Sequence, residues 1–161
     1  MTTQGTTAAR SAGFSIVEAL VALVVLSVGM LGIAALYVES LRAGRSAVYH
    51  TQAVNLAADM ADRIRANRSA GAAVWRLPAN GTPAVQGCVN AGVNCSPGQL
   101  AQDDQARWLQ AIQTQLPGDG AATPDGTIEV DDVALPNQYT ITVTWSEPGN
   151  EQLSYTLTMQ I

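Results

Sequence analysis

Between Ala19 and Val38 the chain runs twenty residues without a charge, and beyond it the apolar positions settle into a three-to-four spacing at Leu56, Ala57, Met60, Ala61 and Ile64. The first pattern predicts a membrane-spanning helix, because twenty residues at 1.5 Å rise cover about 30 Å, the thickness of a hydrocarbon core. The second predicts an amphipathic continuation with one face packed on a globular domain. No proline occurs before Pro78, so a single helix from Phe14 to about Arg68, roughly 80 Å long, is expected. Asp59 with Arg63 and Asp62 with Arg65, spaced four and three apart with the acid first, mark its exposed face.

Downstream the periodicity changes twice. Residues Ser69 to Val93 are rich in Gly, Ala, Asn and Pro with no clear period, which predicts a long connecting loop. Ser96-Pro97-Gly98-Gln99 then offers a capping serine, a proline at the first helical position and a glutamine at the third. The helix it opens has Ala101, Trp108, Leu109, Ile112 and Leu116 as its apolar face and stops at Pro117-Gly118. Asp104 on this helix is placed to approach the Trp108 indole or to pair with Arg107. After Gly126, strict alternation sets in: Tyr139, Ile141, Val143 and Trp145, then Leu153, Tyr155, Leu157, Met159 and Ile161. Two antiparallel strands joined by Glu147-Pro148-Gly149-Asn150-Glu151 are expected, with a third strand over Thr127 to Val133. The fold class is therefore α+β, a small antiparallel sheet covering the long helix.

Charge narrows the function classes. The formal net charge is -5, with eight arginines and no lysine, and residues 69 to 161 carry only Arg76 and Arg107 against nine acids. An acidic head lacks the basic patch that nucleic acid requires. A single histidine, His50, reads as a solvated position on the long helix. With no Gly-x-Ser-x-Gly and no paired carboxylates in the apolar segment, no catalytic constellation emerges and no cofactor is expected. Asp119, Asp125, Asp131 and Asp132 depart from the spacing of an EF-hand loop and read as turn residues. Cys88 and Cys95 are the only cysteines, and with one distant histidine they cannot complete a four-ligand metal site. They predict a disulfide, which would contribute about 2.5 kcal/mol in the chain-entropy model and implies an oxidising compartment such as the bacterial periplasm.

One residue breaks the apolar pattern. Glu18 lies just inside it, and charged residues at the centre of a membrane helix cost roughly 2.5 to 3.5 kcal/mol. Fourteen Phe, Ile, Leu and Val residues between Phe14 and Val38 outweigh that cost at about 0.3 to 0.6 kcal/mol each. A cleaved secretory signal is a poor description, since its apolar core is about 7 to 15 residues long. A plain single-span anchor explains the length and leaves Glu18 without a purpose. Arg10 before the span and Arg42 and Arg45 after it do not fix its direction. Gly29, Gly32 and Gly44 either weaken the helix locally or permit close helix packing.

Gly13-Phe14-Ser15-Ile16-Val17-Glu18-Ala19-Leu20-Val21-Ala22-Leu23 resembles the signature of type IV prepilins. The resemblance implies that a prepilin peptidase cuts between Gly13 and Phe14, that Phe14 is N-methylated, and that Glu18 pairs with the amino terminus of a neighbouring subunit. The order of Met60-Ala61-Asp62-Arg63-Ile64-Arg65-Ala66-Asn67, Cys88, Cys95, the Ala101-Asp104-Trp108 helix and the terminal strands is similar to the minor pilins of the type IV pilus modification protein PilV family. That likeness implies a leader at residues 1–13, a membrane half of the helix at 14–38, an amphipathic half at 39–68 and a periplasmic head at 69–161. It also implies a non-enzymatic role in pilus assembly supporting adhesion or twitching motility, an inner-membrane location before incorporation at the cell surface, and partners among other minor pilins, the major pilin and a tip adhesin. A pseudopilin of a type II secretion system shares the same stalk, and a competence pilin for DNA uptake is a third reading that the acidic head disfavours.

Overall fold

The computed structural model describes residues 13–90, 92–120, 122–147 and 152–161. The chain divides into two units, Met1–Ala43 and Gly44–Ile161. In the first, the described residues form the leading part of helix α1 (Ile16–Ala66), and its large apolar side chains, from Phe14 to Leu41, are exposed. This helix is long and apolar enough to cross a membrane. The leader expected at residues 1–13 lies outside the described residues except for Gly13.

The second unit is an α+β domain. Two short 3-10 turns follow α1, at Arg68–Ala70 and Ala72–Trp75, then helix α2 (Pro97–Gln115) and three strands, β1 (Asp125–Asp131), β2 (Gln138–Ser146) and β3 (Gln152–Gln160). The sheet is antiparallel in the order β1-β2-β3. The core draws Ala53, Leu56, Ala57, Met60, Ala61 and Ile64 from α1, Ala101, Trp108, Leu109 and Ile112 from α2, and Tyr139, Ile141, Val143 and Trp145 from β2. These are the periodic apolar positions of the sequence, buried because a stripe of one face has to be covered by another element. On β3 only Met159 is fully buried, while Leu153, Tyr155 and Leu157 are half-buried.

Three expectations shift. The third strand begins and ends two residues earlier than Thr127 to Val133, because Gly126 pairs opposite Val143 inside the ladder and Asp131 turns the chain by accepting the Val133 and Ala134 N–H groups at 3.0 and 3.2 Å. The segment read as a featureless loop holds Trp75 and Leu77 in the core, with Leu77 and Ile128 exchanging backbone hydrogen bonds of 2.9 Å. Asp104 pairs with neither Arg107 nor the indole. It binds Arg63 of α1 at 2.7 Å, and the partner of Arg107 is Asp103 at 2.8 Å, one helical turn before it.

Gly126 is a packing requirement. A Cβ there would lie 2.5 Å from Trp108 Cη2 and 2.7 Å from Ile112 Cδ1. The indole cannot yield easily, since its Nε1 donates to the Leu56 carbonyl at 2.8 Å. Gly126→Ala is expected to destabilise the head by about 1–3 kcal/mol through overpacking, and an unchanged denaturant midpoint would refute this account of the contact.

Candidate functional site

Two places carry the chemistry singled out above, and each lies in its own unit. In the first, Gly13 and Phe14 precede α1, and Glu18 sits in its first turn. The turn is closed by Ala19 N–H donating to Ser15 O at 3.1 Å. A carboxylate in the first turn faces the positive end of the helix dipole, a favourable position worth a few tenths to 1 kcal/mol. Glu18 and Phe14 are both exposed. Among residues 13–38 Glu18 is the one charged side chain, so the exposed apolar surface of this helix presents a single anionic point next to its start.

In the second unit the disulfide between Cys88 and Cys95 is formed, with the Cα atoms 5.8 Å apart. What holds its loop is a residue the sequence reading passed over. Asp103 is 1% exposed. Its Oδ1 accepts the backbone N–H groups of Gln86 and Gly87 at 2.8 and 2.9 Å, and its Oδ2 accepts Arg107 Nε at 2.8 Å. Burial pushes this carboxyl up, but the Arg107 guanidinium and the two backbone donors together outweigh burial and hold its pKa below the ordinary value. Gln86 also donates its side-chain amide to Gln102 at 3.0 Å. At the far end of the loop the capping box is present as the sequence predicts: Gln99 N–H donates to Ser96 Oγ at 3.3 Å, and Ser96 N–H to Gln99 Oε1 at 2.9 Å. The loop is thus anchored to α2 on both sides, while Val85, Val89 and Val93 remain exposed.

Arg63 joins the helices. It pairs with Asp59 at 2.8 Å and Asp104 at 2.7 Å, and these two acids raise its pKa against the lowering effect of its partial burial. Asn67 adds a hydrogen bond from Nδ2 to the Pro97 carbonyl at 2.8 Å. Near the start of the second unit Glu147 Oε1 accepts from Ser46 Oγ and from Trp145 Nε1, both at 3.1 Å. His50 remains exposed, as expected, with its ring edge-on to Trp145 and Tyr155.

Of the four aspartates read as turn residues, Asp119 and Asp131 accept N–H groups two or three residues on, whereas Asp125 and Asp132 reach distant chain. Asp119 accepts from Ala122 N–H at 2.7 Å, Asp125 from Asn80 N–H at 2.7 Å, and Asp132 pairs with Arg76 at 3.0 Å.

Residues 35–106 match the family model described as Type IV pilin Tt1218, and residues 8–34 match the prokaryotic N-terminal methylation motif. No curated protein and no solved structure matches the chain. The two matched segments abut, one covering the apolar start of α1 and the other the rest of α1 through the disulfide loop to the first half of α2.

Proposed function

We propose that this chain, which carries a prepilin methylation motif followed directly by a type IV pilin domain, is a minor pilin of a type IV pilus. It is cut between Gly13 and Phe14 by a prepilin peptidase, methylated on Phe14, held in the inner membrane by residues 14–38, and passed into a complex that primes pilus assembly. The observation that carries this reading is the unbroken succession of the two matched segments over residues 8–106, with Glu18 as the lone charge of the apolar helix.

Cleavage creates a new ammonium at Phe14. Both that cation and the Glu18 carboxylate are costly in hydrocarbon, and pairing the ammonium of one subunit with the carboxylate of its neighbour offsets part of both costs. The pair fixes the axial register between adjacent helices, and the exposed apolar surface of residues 14–38 supplies the packing area. The head stands in the periplasm, a setting in which the Cys88–Cys95 disulfide persists. Its role is structural, without catalysis, and its partners are other minor pilins, the major pilin and a tip adhesin.

Shearing pili from cells that make the full chain tests the assignment. The chain is expected in the sheared fraction at a small fraction of the major pilin. Its recovery only in membranes, in cells whose pili contain their other minor pilins, would contradict it.

A further inference from the structure

Two stretches of α1 are joined to the head by different means. From Ala53 to Ile64 the inward positions are buried, and this stretch is bonded to α2: the Trp108 indole donates to the Leu56 carbonyl at 2.8 Å, and Arg63 donates to Asp104 at 2.7 Å. Between Gly44 and Gln52 no residue is buried. Among the described residues this earlier stretch is held by the Ser46–Glu147 hydrogen bond, by the half-buried Tyr49 against the core, and by His50 edge-on to Trp145 and Tyr155.

Two polar groups, one on the stretch and one on its partner, are poorly matched. Glu147 is 8% exposed, yet its Oε1 collects only neutral donors, Ser46 Oγ and Trp145 Nε1, and no cation pairs with it among the described residues. A carboxylate taken out of water without a cation recovers its lost hydration only in part. Gln52 Oε1 is buried with no hydrogen-bond partner among the described residues, and an acceptor left so carries its whole desolvation penalty. Stretches with few buried apolar contacts open at the lowest cost, and opening here also returns water to both groups.

We propose that residues 44–52 form a clasp on the sheet that opens and closes while the rest of the head stays folded, with Glu147 as the positioning residue that holds it shut. Ser46 Oγ, Glu147 Oε1 and Trp145 Nε1 form one chain of hydrogen bonds, so the closed clasp shields the Trp145 indole, which is 2% exposed. In the open state Ser46, Gln52 and Glu147 are hydrated, and the His50 ring leaves Trp145 and Tyr155. The course of residues 44–52 over the sheet is thereby set by a polar contact that can be released, whereas residues 53–66 are set by the core. The clasp is independent of processing and assembly.

Hydrogen–deuterium exchange of the tryptophan indoles tests this, followed by NMR on the full chain in detergent with isotopically labelled tryptophan. Trp145 Nε1 reports the clasp, and Trp108 Nε1, bonded to the Leu56 carbonyl, reports the fixed stretch of α1. In the wild type the Trp145 proton is expected to exchange faster than the Trp108 proton. Ser46→Ala removes one hydrogen bond to a charged group and should speed Trp145 exchange about tenfold, with Trp108 unchanged. Gln52→Met, which replaces the unmet acceptor by an apolar chain of similar shape, should slow it. A Trp145 proton slower than that of Trp108 in the wild type, equal Trp145 exchange in wild type and Ser46→Ala, equal acceleration of both indoles, or faster Trp145 exchange in Gln52→Met would each overturn the proposal.

Discussion

Asp103→Ala is expected to lower the stability of the head by about 3 kcal/mol, because it strips a buried charge from three donors at once. The Gln86 and Gly87 N–H groups lose their acceptor at a part-buried site, and Arg107 loses the carboxylate opposite it. Arg107 is about one-third exposed, so water relieves part of its loss, and the two backbone donors dominate. Asp103→Asn keeps an acceptor oxygen and should cost less than half as much. The same group sets an acid limit. Its pKa is lower in the folded chain than in the unfolded one, so its contribution is complete above the ordinary carboxylate range near 4 and disappears as pH falls through the lower folded value. Urea midpoints of the intact chain in detergent, followed at pH 7 and down to pH 3, should show an acid-sensitive step in the wild type that is smaller in Asp103→Asn. Equal midpoints for wild type and Asp103→Ala at pH 7 would refute the anchoring role.

Glu18→Ala has the largest expected effect on function. The substitution removes one charge from the apolar segment, so insertion into the membrane should improve slightly and cleavage after Gly13 should proceed. Assembly should fail instead, because the ammonium at Phe14 then enters hydrocarbon without a partner. Losing even half of the roughly 3 kcal/mol attached to such a charge corresponds to about tenfold less incorporation. Quantitative immunoblots of sheared pili and of membranes separate the two steps. Wild-type amounts of the variant in pili would dismiss the charge pair. Glu18→Asp, one methylene shorter, should recover only part of the loss.

The elements were legible where a period repeats. The stripe from Leu56 to Ile64, the α2 face at Ala101, Trp108, Leu109 and Ile112, and the alternation of β2 all report burial locally, since each residue's neighbours in sequence are its neighbours on the face. The capping box at Ser96 and Gln99 is likewise written within four residues. What escaped depends on distant chain. Trp75 and Leu77 are buried but follow no period, and Leu77 is tied to Ile128, some fifty residues on. A tryptophan in an otherwise small-residue stretch was the one available signal, because so large an apolar ring is seldom left in water. Asp103 and Asp104 are adjacent, and sequence spacing alone allows either to meet Arg107. The packing of α2 against α1 decides it, turning Asp104 toward Arg63 and Asp103 toward the loop. Gly126 looked like part of a turn, yet its missing side chain is what admits Trp108 against β1.

The amino-terminal reading draws on consecutive residues. Gly13, Phe14 and Glu18 were singled out from sequence, and the methylation motif matched over residues 8–34 covers the same positions. The pairing proposed for Glu18 is one between subunits, so a single chain displays only its ingredients: an exposed acid in the first turn and an exposed apolar helix.

The amino-terminal mass of the chain recovered from its native host is the most direct test of the central claim. A pilin processed at this site begins at Phe14 and carries one extra methyl group on its amino nitrogen, while Gly13→Leu leaves the precursor uncut. A wild-type chain that still begins upstream of Phe14, in cells whose other prepilins are fully processed, would contradict the assignment.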